Sequence, residues 1–111
     1  MLRAEGKNIT MDEGDYGLPL PIKITGENIQ ITDVIQFKIK EMLDDNTIIE
    51  KEFSNLAGEE ENTFVFVLDF TKNESDLIPS GHYHYSLKMY RKDELLNTII
   101  NEGYFEVKRV V

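Results

Sequence analysis

His82 and His84 stand two positions apart in the run Gly81-His82-Tyr83-His84-Tyr85. On a strand, such residues point to one face, and two imidazoles placed this way can chelate zinc. A zinc site needs a third ligand and usually a fourth. The chain has no other histidine and no cysteine, so carboxylates would have to supply them. The metal candidates His82 and His84 are therefore an incomplete set. Their companions on that face, Ser86 and Lys88, suit a strand face open to solvent. Carboxylates cluster at Asp12/Glu13/Asp15, Asp44/Asp45 and Glu59/Glu60/Glu61. A loop of this kind can gather a hard cation, but none has the D-x-D-x-D-G spacing of a calcium loop. Turn formation and solvation account for all three. No metal or other cofactor is expected.

The residue types of an active site are also sparse. A cysteine nucleophile, a G-x-S-x-G elbow, a phosphate-cradling glycine loop and a zincin motif are all missing from the sequence. Paired carboxylates are plentiful, but an acidic composition produces such pairs without any convergence in a pocket. No catalytic residue is assigned, and the chain is read as non-enzymatic.

Composition sets further bounds. The 111 residues carry 12 Lys+Arg against 21 Asp+Glu, a formal net charge of −9, and 41% are hydrophobic. This is globular composition, long enough for one domain, 1–111, around a single core. An acidic surface repels a phosphate backbone, so nucleic acid is not an expected partner. The longest unbroken apolar run, Phe64–Leu68, is far too short to span a bilayer, so no membrane partner is expected either. The N-terminal residues lack an apolar h-region and a small-residue cleavage site, so no signal peptide is read. Absence of cysteine fits a domain made in the cytoplasm.

The elements that must position these residues are strands. Lys7–Met11 reads as a first short strand, followed by a turn at Asp12-Glu13-Gly14-Asp15. Leu18, Leu20, Ile22 and Ile24 alternate, with Pro19 and Pro21 opposite, which predicts an edge strand or one irregular in its first half. Asp33–Glu41 is the clearest strand, with Phe37 on its apolar face. A turn at 43–47 leads into a strand over Thr47–Phe53. The link 54–62 reads as an exposed loop. Phe64–Phe70 is apolar on both faces, as a central strand would be, and carries Phe66. Thr71-Lys72-Asn73-Glu74 is a capping-box pattern that predicts one helical turn near residues 72–77. His82–Arg91, Leu95–Ile100 and a closing segment from Gly103 containing Phe105 complete the chain. Some 7–9 strands with regularly spaced turns make an all-β antiparallel sandwich of the Ig-like kind.

Gly81-His82-Tyr83-His84-Tyr85 resembles the tyrosine corner of Ig-like sandwiches. Tyr83 is then the residue whose hydroxyl bonds back to the upstream chain. Tyr85 takes the position of the second cysteine of a true Ig domain, an apolar contact in place of a disulfide. Expected core residues are Phe37, Phe66, Leu68, Tyr83, Tyr85, Leu87 and Phe105.

The order of features resembles a family: the Ig-like N-terminal domain of the baseplate upper protein in tailed phages of Gram-positive bacteria, with related prophage tail proteins. The residues that carry it are Ile9-Thr10, the acidic-glycine turn at Gly14-Asp15, Ile31–Lys40, the acidic turn at Asp44-Asp45, Phe66-Val67-Leu68, Pro79–Tyr85 and Gly103-Tyr104-Phe105-Glu106-Val107. The resemblance spans roughly residues 7–108. It implies a structural or interaction module of a tail or baseplate, working through protein–protein contacts with other tail proteins, with a homo-oligomer possible. It places the chain in the virion, or in the bacterial cytoplasm when expressed from a prophage. The alternative is a bacterial surface adhesion-type Ig-like domain that binds protein or glycan.

Overall fold

Alternating apolar residues separated by polar turns give strands, and strands with one apolar face must pair and stack. The computed structural model describes residues 2–26, 29–41, 46–54 and 56–110, with backbone alone at 3, 5, 59 and 60. In chain order the strands are β1 (Arg3–Glu5), β2 (Asn8–Asp12), β3 (Leu20–Thr25), β4 (Val34–Lys40), β5 (Thr47–Phe53), β6 (Ala57–Glu60), β7 (Thr63–Leu68), β8 (Gly81–Arg91) and β9 (Glu94–Lys108). One helical turn, α1 (Lys72–Asp76), links β7 to β8.

The strands form a six-stranded sheet of order β1-β2-β9-β8-β4-β5 and a three-stranded sheet of order β3-β7-β6. In Ig terms β3, β7 and β6 take the B, E and D places, facing G, F and C in β9, β8 and β4. The fold is thus the expected Ig-like sandwich. One pair departs from the antiparallel rule: β2 runs parallel to β9, from Asn8 beside Tyr104 to Asp12 beside Lys108.

Between the sheets lies one apolar cluster. Ile35, Phe37, Ile39, Leu68, Ile78 and Phe105 are wholly sealed from solvent, and Phe66, Tyr83, Tyr85 and Leu87 are buried beside them. Phe37 sits at its centre, with ring centroids 5.5 Å from Tyr85, 6.2 Å from Phe70 and 6.5 Å from Phe105. All the expected core residues are therefore buried. The helical turn is also as the sequence predicts. Thr71 caps α1, its hydroxyl accepting from the Glu74 amide while the Glu74 carboxylate accepts from the Thr71 amide.

Several boundaries differ from the sequence reading, each for a tertiary reason. The N-terminus makes a hairpin, with β1 folded against β2 across Gly6 at φ 61°. Periodicity over a three-residue strand is too short to register. Residues 54–62 are more than a loop: Ala57–Glu60 pairs with β7. Leu18 lies outside β3 and is exposed, since Pro19 keeps the chain out of the ladder until Leu20. β3 is an edge strand, as the prolines require. β7 is central, yet Val67 on its outer face is exposed, because no described element packs on that side. The two expected closing strands are one, β9, whose register against β8 shifts at several points. Most of the predicted turn at 43–47 lies outside the described residues.

Candidate functional site

Tyr83 occupies the corner the sequence assigns to it. Its hydroxyl donates to the Pro79 carbonyl at 2.6 Å, closing the turn that delivers the chain from α1 into β8. Gly81, at φ +155°, supplies the backbone geometry of that turn, and an added Cβ would lie 3.8 Å from the Tyr83 ring. Glu13 completes the corner, its carboxylate accepting from the Ser80 amide at 2.7 Å. This acidic-turn residue therefore holds backbone.

Tyr85 reaches further. Its ring lies in the core against Phe37, and its hydroxyl donates to the Lys7 carbonyl at 2.8 Å, pinning the β1–β2 turn. Burial pushes its phenol up to about 12. The ring rests on Gly103, where a Cβ would fall inside it. Gly103 is thus required by Tyr85, its partner in the β8–β9 ladder.

His82 and His84 do share a face. His82 is exposed, with Nδ1 3.6 Å from a Glu106 carboxylate oxygen. His84 is half-buried, its ring 5.5 Å from that of Tyr104 and its Nδ1 sealed from solvent with no hydrogen-bond partner among the described residues. Among the described residues no group of three His, Cys, Asp or Glu side chains is gathered that could hold a metal. The side chains of Asp44, Asp45, Glu59 and Glu60 lie outside the described residues.

Pairing of β4 with β8 builds a surface that no single run reveals. Lys38 lies opposite Ser86, Lys40 opposite His84 and Gln36 opposite Lys88. A trough lined by Lys38, Lys40, His84, Ser86 and Lys88 encloses about 290 Å³. The alternation that puts Lys38 and Lys40 on one face was legible, but the strand beside them was not.

A second surface lies along β9. β2 covers its outer side only from Tyr104 to Lys108. From Glu94 to Asn101 that side makes no backbone hydrogen bond to any described residue. Leu95 and Leu96 there are 53% and 44% exposed. Leu96 and Ile99 form one wall of a groove of about 400 Å³, closed by Ile24 of β3, by Ile29 in the connection from β3 to β4, and by Met89. At its end Asp33, fully buried, takes Arg91 in a two-pronged ion pair of 2.8 and 2.9 Å and accepts the Gln30 amide at 2.9 Å. The Arg91 guanidinium holds the Asp33 carboxyl below its usual value, against the opposing effect of burial. The sequence places Asp33 at the start of a strand, and its pairing with Arg91 is set only by the fold.

Among the described residues no helix is long and apolar enough to cross a membrane. Comparison with protein-family models, curated proteins and solved structures finds no match.

Proposed function

We propose that the chain is a non-enzymatic structural module of a phage or prophage tail or baseplate, and that it docks a partner protein by strand addition along β9. The observation that carries the docking is the unguarded stretch Leu95–Asn101. Sheet edges invite pairing, and proteins blunt them with charge, proline or shortness. β1 is only three residues long. β3 carries Pro21 and Lys23, β5 carries Glu50, Lys51 and Glu52, and β6 is Ala-Gly-Glu-Glu. Leu95-Leu96-Asn97-Thr98-Ile99-Ile100-Asn101 has no charge, no proline and no glycine.

An extended segment laid here gains main-chain hydrogen bonds from β9 and can place alternate apolar side chains in the groove beside Leu96 and Ile99. With a net charge of −9 on this chain, a neutral or basic segment associates more readily than a second copy would. The tail assignment is supported by the order of motifs from Ile9 to Val107 and by the Ig-like sandwich that carries them.

A photo-crosslinking side chain at Thr98, introduced in the organism that encodes the chain, tests both parts. The expected product is a covalent adduct with a tail or baseplate protein, lost when Leu96→Lys places a charge on the edge. Adducts with host-surface proteins alone would transfer the reading to an adhesion-type domain. No adduct at Thr98 would sink strand addition.

A further inference from the structure

The trough on the outer face of the six-stranded sheet has the features of a ligand site, separate from the groove beside Leu96 and Ile99. Ser86 forms its floor. It is the shortest side chain of its neighbourhood, with Lys38 directly across and His84 and Lys88 two residues to either side on the same face. Lys38, Lys40 and Lys88 are half-buried and form no ion pair among the described residues. Glu50 stands opposite Lys38 on β5 and Glu102 lines the trough, yet neither forms an ion pair with these lysines.

A second observation comes from the backbone. Tyr85 pairs with Gly103, but Leu87 pairs with Ile100, so Ser86 alone stands opposite both Asn101 and Glu102. This is a β-bulge, a device that re-aims side chains. Both bulged residues line the trough. Beside it Tyr104 is 62% exposed, and its ring packs on His84, directly opposite it in the ladder.

We propose that this trough binds an acidic saccharide, a sugar bearing a carboxylate or a phosphate. The anionic group lies over Ser86, where ammonium groups from β4 and β8 converge. Glu102 would repel a bare anion, but as an acceptor beside the Asn101 amide it suits sugar hydroxyls, which donate. Tyr104 offers an apolar ring face for the sugar ring, with a polar tip at its edge. The half-buried His84 ring, packed under Tyr104, forms part of the wall.

Titration of isotopically labelled protein, followed by amide and aromatic NMR signals, tests this. The probes are oligogalacturonate, glucose 6-phosphate, neutral galacto-oligosaccharide and sodium phosphate. The expected result is saturable shifts at Ser86, Asn101, Glu102 and Tyr104 with one of the acidic saccharides, weakened by added salt. Which of the two binds separates a carboxylate from a phosphate. Lys88→Gln weakens binding about tenfold, on the scale of one charged hydrogen bond, and Tyr104→Ala weakens it severalfold. Both variants should keep the thermal midpoint, since Tyr104 is exposed and Lys88 lies on the outer face. Equal shifts with phosphate alone would reduce the site to bare charge and overturn the proposal. So would binding of the neutral sugar untouched by Lys88→Gln, or the absence of any saturable shift.

Discussion

Tyr85 does the work of several residues at once. Its ring fills the core beside Phe37, its hydroxyl pins the Lys7 carbonyl, and its flank covers Gly103. A Cβ at residue 103 overlaps that ring, and the rigid aromatic cannot step aside within a packed core. Gly103→Ala should therefore lower stability by about 1–3 kcal/mol, the cost of overpacking. Chemical denaturation measures it, and a change within error would mean the ring has room to move.

The phenol of Tyr85 carries a pH signature. Its unfolded value is 10.0 and its folded value about 12, because burial disfavours the phenolate. A raised folded value means that its contribution is complete below pH 10 and is lost as pH rises from there through 12. Tyr83 is shifted the same way, mainly by burial. The urea midpoint of the wild type should fall between about pH 10 and about pH 12, and fall less in Tyr85→Phe. Parallel loss in the two proteins would show that the shift lies elsewhere.

Among elements, β4 and β8 form the frame of the large sheet, and Asp33 clamps them together. It precedes β4, and its ion pair with Arg91 secures the far end of β8. Asp33 is fully buried, while Arg91 retains 29% side-chain exposure and can turn to water when its partner is lost. Asp33→Ala is therefore expected to cost about 3 kcal/mol, the low end for breaking a buried pair. The folded carboxyl titrates below its unfolded value of 3.8, so this contribution is present above that pH and disappears as pH falls through the folded value. Wild type and variant should differ fully near neutrality and converge in acid. A constant gap across that range would point to packing instead of charge.

The connection between β7 and β8 is held in the same manner. Lys51 of β5 donates to Glu74 of α1 at 2.8 Å and to the Asp69 carbonyl, and it lies 5.4 Å from the centroid of the Phe70 ring. Burial raises the Glu74 carboxyl, but Lys51 and the Thr71 amide outweigh it and hold the group below its usual value. α1 is thereby fastened to the edge strand β5 as well as capped. β9, in contrast, is covered by β2 for only part of its length. The boundary lies where Tyr85 fixes the β1–β2 turn.

At the scale of the whole molecule the charge is unevenly used. Carboxylates dominate the total, while Lys38, Lys40 and Lys88 meet on one outer face and Leu95–Asn101 leave an uncharged rim on another. Rigid strands present both surfaces, so their geometry is set by the sandwich core.

The sequence by itself determined the all-β class, most strand phases, the core aromatics, the capped turn at Thr71 and the corner at Tyr83. Each follows from local periodicity or from hydrogen bonds spanning a few residues, and such interactions are written in consecutive positions. The edge character of β3 was legible for the same reason, in Pro19 and Pro21. Only the tertiary structure decided that β1 and β6 exist, that β2 runs parallel to β9, that Asp33 meets Arg91, and that Lys38, Ser86 and Lys88 share one trough. Those features are pairings between residues far apart in the chain. Strand order and register are fixed by the burial of all the apolar faces together, which no single segment encodes.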